Sequence, residues 1–169
     1  MEQIKQKLQN NIANYPDFPK KGILFRDLNP IYKDAQLFKL LIDYMQNQAN
    51  KLGKFDYVIG IEARGFILGS ALAQKLEIGF IPVRKKGKLA GLTKSISYNL
   101  EYGQDTLEIQ DDPKLKNAKV LIIDDVFATG GTLGAVISLL ENMVNYIAVG
   151  MVMDIGISDI SNFKKDYFM

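Results

Sequence analysis

The run Val120-Leu121-Ile122-Ile123-Asp124-Asp125-Val126-Phe127-Ala128-Thr129-Gly130-Gly131-Thr132 carries the strongest chemical signal in the chain. An apolar stretch that reads as a buried strand ends in two adjacent carboxylates. Small, hydroxyl-bearing and glycine residues follow, and a helix pattern starts at once. Gly130 and Gly131 let the backbone approach an anion closely. Thr129 and Thr132 supply hydroxyls, and the helix start supplies N–H groups and the positive end of its dipole. With Ala128 these residues make a phosphate cradle. It is neither a GxxxxGK[ST] loop nor a GxGxxG fingerprint. Asp124 and Asp125 would repel a phosphate, so their partners are better sought among sugar hydroxyls, met directly or through Mg²⁺ and its waters. A lone Asp-Asp pair could merely cap the following turn. The whole string points to a ribose phosphate.

Composition decides which groups can move protons. The chain has no histidine and no cysteine, which excludes Ser-His-Asp triads, HExxH zinc sites, thiolate metal sites and disulfide scaffolds. Acid–base work falls to carboxylates, Lys or Tyr. With 21 basic and 19 acidic residues the net charge of +2 is too even to argue for nucleic acid. Charge is nevertheless clustered. Arg84, Lys85, Lys86 and Lys88 surround Gly87, and Glu101, Asp105, Glu108, Asp111 and Asp112 reverse the sign. The basic run is either a solvated face or a site that neutralises an anion. Arg64 follows an apolar run, where it can meet an oxyanion or make a surface ion pair.

The elements that must position these residues follow from periodicity. A chain of 169 residues suits one domain, expected over 1–169. Ile4, Leu8 and Ile12 predict a short amphipathic N-terminal helix. Residues 15–33 hold three prolines among apolar side chains and read as irregular but packed, a loop over a core edge or a ligand lid. Asp34 is an expected cap for a helix running to about Leu52. Strands are then predicted over 57–61, 80–83, 120–123 and 146–152, with helices over 66–76 and 133–143. Continuously apolar strands alternating with helices predict an α/β fold, its parallel sheet covered on both faces. Ligands of such sheets sit beyond the carboxyl ends of the strands. Residues 85–113 break the rhythm. Their length, charge reversal and strand-like alternation predict a two-stranded mobile flap projecting from the sheet edge. The first residues are polar and the run 120–123 is far too short to span a bilayer, so a soluble cytoplasmic protein without membrane partners is expected.

The 13-residue string resembles the PRPP-binding signature of the type I phosphoribosyltransferases. Three further segments match in family order. Gly22-Ile23-Leu24-Phe25-Arg26-Asp27, after Tyr15-Pro16-Asp17-Phe18-Pro19, is similar to the base-binding hood of the adenine-specific members. Gly60-Ile61-Glu62-Ala63-Arg64-Gly65-Phe66 resembles their pyrophosphate loop, and Tyr98-Asn99-Leu100-Glu101-Tyr102-Gly103 their catalytic flap. The likeness covers about Tyr15 to Gly150. Residues 151–169 match little of the family's closing leucine-rich segment and aromatic strand.

The resemblance implies a type I phosphoribosyltransferase fold with a small hood and a flap. It also implies transfer of 5-phosphoribosyl from PRPP to N9 of adenine, giving AMP and pyrophosphate in purine salvage. Asp124, Asp125, Ala128, Thr129, Gly130, Gly131 and Thr132 would take the ribose and 5′-phosphate. Ala63, Arg64, Arg84, Lys85 and Lys88 would take the pyrophosphate, and Leu24, Phe25 and Arg26 the adenine. Glu101 would accept the N9 proton, with Arg64 and Tyr102 also catalytic. Mg²⁺ would be held mainly by PRPP, with Asp124 and Asp125 reaching it through water. The family suggests a homodimer that does not bind nucleic acid. The rival readings are the same chemistry on another base, against which the hood argues, and a PRPP-sensing regulator that binds nucleic acid, against which Glu101, the basic run and the hood argue.

Overall fold

The computed structural model describes residues 2–100 and 103–168. Glu101 and Tyr102 therefore lie outside the described residues. The chain divides at Asn47 into two compact units.

The first unit begins with helix α1 (Glu2–Gln9), of which Leu8 is the buried residue. Strands β1 (Ala13–Pro16) and β2 (Leu24–Asp27) then pair antiparallel, with Tyr15 opposite Phe25. The turn between them is closed by the Asp17 carboxylate, which accepts from the Gly22 N–H at 2.6 Å. Residues 15–33 are thus not irregular: they hold most of a hairpin and the helix α2 (Asn29–Lys33). Nor is the hairpin tightly packed, since Tyr15, Phe18, Ile23 and Leu24 are all about half exposed. Pro16 and Pro19 obscured the hairpin because they sit at its strand end and in its turn, where a missing N–H is tolerated. Helix α3 (Ala35–Leu52) starts as expected, with Asp34 Oδ1 accepting from the N–H groups of Gln36 and Leu37 at 2.8 and 3.0 Å. Leu37, Leu41 and Met45, four residues apart, are its buried side.

The second unit is built on a seven-stranded sheet, order β5-β6-β4-β3-β7-β8-β9. Its strands are β3 (Tyr57–Ile61), β4 (Gly79–Lys85), β5 (Thr93–Leu100), β6 (Gly103–Gln110), β7 (Lys119–Phe127), β8 (Tyr146–Asp154) and β9 (Asp166–Phe168). Helices α4 (Arg64–Leu76) and α5 (Gly131–Leu140) cross between parallel strands. The pairs among β3, β4, β7, β8 and β9 are parallel, whereas β6 runs antiparallel to both β4 and β5. Val120, Ile122, Val136, Leu140 and Val149, none more than 1 % exposed, lie in the main core with residues of β3 and β6.

Three expectations change. The predicted flap is indeed two strands, but it continues the sheet through Arg84 opposite Glu108, and Leu107 and Ile109 are core residues. Strand β7 does not end at the acid pair. It runs on to Phe127 because β8 stays alongside, pairing Val126 with Met153 and Phe127 with Asp154. The chain also closes with an aromatic strand after all. Phe168 of β9 is buried in the space that Gly150 leaves on β8.

Candidate active site

The cradle forms where β7 hands over to α5. Ala128, Thr129 and Gly130 make the turn, and Gly130 takes the left-handed conformation (φ 81°) that glycine adopts without a Cβ penalty. Gly130 is the N-cap of α5 and carries no side chain to cap it; the Gly131 N–H donates to Thr129 Oγ1 at a long 3.5 Å, and a helix start of this kind can take an anion on its N–H groups. Thr129 and Gly131 are exposed and Thr132 is half-buried. The Thr132 hydroxyl donates to the Tyr98 hydroxyl at 3.4 Å, which ties the cradle to flap strand β5.

The acid pair sits just before this turn. Asp125 is 3 % exposed, and its N–H donates to Asp124 Oδ1 at 2.9 Å. Burial first, and then the neighbouring Asp125 charge, push the Asp124 carboxyl up to about 8. Asp125 is raised as well by burial, with the Arg64 charge pulling the other way. Arg64 Nε lies 2.9 Å from Asp125 Oδ2. Two carboxyl groups side by side offer oxygens that can accept sugar hydroxyls. As hard oxygens they also suit Mg²⁺, which typically takes one or two carboxylates and fills its shell with phosphate oxygens and water. Among the described residues no cluster of three acids could cage a metal, so the donor set fits an ion delivered with its phosphates.

Arg64 reaches the acids because β3 and β7 are parallel neighbours, with Gly60 opposite Ile123. The carboxyl end of β3 therefore emerges beside the acid pair of β7. The turn Glu62-Ala63, whose peptide is cis, leads into α4 with Ala63 as N-cap. Gly65, in the first turn of α4, makes the approach close. A Cβ there would lie 2.7 Å from the Ile123 carbonyl oxygen and 3.1 Å from Asp124 Oδ1.

The basic run is organised by an acid that sequence reasoning left without a role. Glu62, its side chain 9 % exposed, lies against Arg84 at 3.3 Å and Lys88 at 2.7 Å, and accepts from the Lys85 N–H at 2.9 Å. Burial works against its ionisation. Hydrogen bonds from Lys88, the Lys85 backbone and Arg84 outweigh that and hold the carboxyl at about 2. Buried Glu108 accepts from the N–H groups of Lys88 and Leu89, both at 3.1 Å, and so pins the turn. Lys85 instead pairs with Asp105 at 3.0 Å. Arg84 and Lys88 are thus gathered at the carboxyl end of β3, near Arg64 in the chain, and Lys85 is turned to the flap. Glu62 is 22 residues from Arg84 and 26 from Lys88, so no local spacing could have revealed the hub.

In the first unit, a cleft of about 450 Å³ opens beside the β1–β2 hairpin, lined by Tyr15, Pro16, Asp17, Phe18, Phe25 and Asp27. Phe25 meets Phe18 edge-to-face at 5.2 Å. Of the three residues expected for the base, Phe25 lines this cleft; Leu24 and Arg26 flank it on β2.

A cradle for a phosphate at a strand-to-helix turn, adjoining buried acids and a basic hub, is the layout of a phosphoribosyl-transfer site. The phosphoribosyl transferase domain profile matches residues 29–146. The chain is 47 % identical over 159 residues to the adenine phosphoribosyltransferase of Brachyspira hyodysenteriae, covering 94 % of this chain and 92 % of that one. It is 51 % identical over 142 residues to that of Helicobacter acinonychis, covering 83 % and 79 %. Its structure matches the crystal structure of adenine phosphoribosyltransferase from Saccharomyces cerevisiae with a TM-score of 0.93 at 37 % identity, over 100 % of this chain and 99 % of that one. That protein was crystallised with an imino-altritol 1,6-bisphosphate and adenine. The chain belongs to the phosphoribosyltransferase family, among the adenine phosphoribosyltransferases.

Proposed function

We infer that this chain transfers the 5-phosphoribosyl group of PRPP to N9 of adenine, releasing pyrophosphate and forming AMP, a step of purine salvage. The observation that carries this reading is the β7–α5 turn: an open glycine cradle directly preceded by Asp124 and Asp125, with Arg64 paired to Asp125.

In the reaction the bond from the anomeric carbon to the pyrophosphate oxygen breaks as N9 of adenine bonds to that carbon. Positive charge builds on the sugar, so positioning and electrostatics supply most of the catalysis. Residues 128–132 take the 5′-phosphate. Asp124 and Asp125 accept the ribose hydroxyls, and Ala63, Arg64, Arg84 and Lys88 face the leaving pyrophosphate; Lys85, expected beside them, is held by Asp105 instead. Mg²⁺, when bound with PRPP, neutralises pyrophosphate charge. Glu101 receives the proton lost from N9, with Tyr102 as a further catalytic residue. The same reading takes the enzyme as a cytoplasmic homodimer, as the family resemblance implies. Among the described residues no helix is long and apolar enough to cross a membrane.

Leu24, Phe25 and Arg26 read the base, Phe25 by stacking. Adenine offers an N6 donor beside an N1 acceptor, and 6-oxopurines invert that edge. Backbone groups near Leu24 and Arg26 that match adenine would face hypoxanthine acceptor to acceptor and donor to donor. Each buried mismatch costs about 1–3 kcal/mol, so two give roughly 30- to 10⁴-fold in kcat/KM. Steady-state kinetics should show that preference in the wild type, and still show it in Arg26→Ala because backbone atoms do the reading. Comparable kcat/KM for adenine and hypoxanthine would refute the choice of base.

A further inference from the structure

The segment after β8 lies against the cradle turn between β7 and α5. After β8, Ile155 donates its N–H to the Phe127 carbonyl at 3.1 Å. Ser158 Oγ then donates to the Thr129 carbonyl at 3.0 Å. Ile160, 3 % exposed, anchors the segment in the main core, and Asp159 caps the short 3₁₀ turn that follows by accepting from the Ser161 N–H at 2.9 Å. That turn delivers Phe163 onto the cradle. Its ring meets Phe127 edge-to-face at 6.2 Å. Its Cζ lies 2.9 Å from where a Cβ on Gly130 would be, and its Cε1 lies 3.1 Å from where one on Gly134 would be. Gly130 is therefore small for a second reason, and Gly134 for this one: a ring occupies the space their side chains would fill.

The bond from Ser158 has a directional consequence. In a planar trans peptide the carbonyl and the N–H point opposite ways. Fixing the Thr129 carbonyl on Ser158 aims the Gly130 N–H away from the C-terminal segment. It also keeps a carbonyl oxygen from facing the anion. Phe163, wedged against Gly130 and the first turn of α5, resists rotation of the same peptide.

We propose that residues 155–163 are the rear wall of the 5′-phosphate cradle, with Phe163 and Ser158 as positioning residues that hold the Thr129–Gly130 peptide and the start of α5 in the anion-binding conformation. The inference deepens the reading of the cradle given above and rests on it. The two are separated by titrating ribose 5-phosphate, and in parallel pyrophosphate, into wild type, Phe163→Leu, Ser158→Ala and the cradle variant Thr132→Val. Loss of one hydrogen bond is worth about fivefold, so Ser158→Ala should weaken ribose 5-phosphate by roughly that factor. Phe163→Leu, which lets the loop shift, should weaken it by about 10- to 100-fold. Pyrophosphate affinity should stay within about twofold in both, and the KM for PRPP should rise while that for adenine does not. A residue with a merely structural role would lower every affinity together, and that result overturns the wall. Unchanged ribose 5-phosphate affinity in Phe163→Leu and Ser158→Ala, with loss in Thr132→Val, overturns the wall and keeps the cradle. Unchanged affinity in all three overturns the cradle and the wall with it. Ser158→Ala removes a single hydroxyl, so the test stands even if Phe163→Leu folds poorly.

Discussion

Arg64 Nε and Asp125 Oδ2 stand 2.9 Å apart, joining the loop after β3 to the acids of β7 in one ion pair. Asp125 is nearly fully buried and Arg64 about half exposed. The pair therefore links a buried carboxylate on β7 to a half-exposed guanidinium at the start of α4. A buried carboxylate deprived of its partner is costly, so this contact orders the site before any substrate arrives.

The acid pair makes folding depend on pH in a defined direction. Asp124 is raised from its ordinary 3.8 to about 8, chiefly by burial and then by Asp125. A raised carboxyl leaves the fold most stable below the unfolded value, near 4, and that stability is lost as pH rises through about 8. Thermal unfolding of the ligand-free wild type should thus show a lower midpoint at pH 8 than at pH 5. Asp124→Asn should remove much of that difference. Identical pH profiles for the two proteins would show that Asp124 is not held protonated.

Gly65 tests the close approach of α4 to β7. Alanine there would place a Cβ 2.7 Å from a backbone oxygen, Ile123 O, which cannot swing aside as a flexible side chain could. Overpacking of this kind costs about 1–3 kcal/mol. Gly65→Ala should lower the urea midpoint accordingly and displace Arg64 from Asp125, with a marked loss of transferase rate. Wild-type stability and rate together would mean that the contact is slack.

Glu62 gives the opposite pH signature. Its carboxyl is held at about 2, below the ordinary 4.5, because the bonds from Lys88, Lys85 and Arg84 exceed the opposing cost of burial. A depressed carboxyl contributes stability above about pH 4.5 and loses it as pH falls through about 2. Glu62→Gln should be less stable than wild type at pH 7, and the gap should narrow as the solution is acidified below pH 4. A gap independent of pH would assign the loss to packing rather than to charge.

Much of this was legible in the chain, and the limits have physical causes. The strand Tyr57–Ile61 and the Asp34 cap of α3 were readable because period and cap chemistry are local. The cradle was readable because Thr129 to Thr132 are contiguous. The extension of β7 through Asp124 and Asp125 was not, since it depends on β8 remaining alongside. The Glu62 hub depends on partners more than twenty residues away, and Phe163 on a fold that returns the chain end to Gly130.

The central claim is the reaction. Purified protein incubated with PRPP, adenine and Mg²⁺ should release pyrophosphate and form AMP in equal amounts, with release absent when adenine is omitted. Pyrophosphate release that does not depend on adenine, or adenine consumption without AMP, would contradict it.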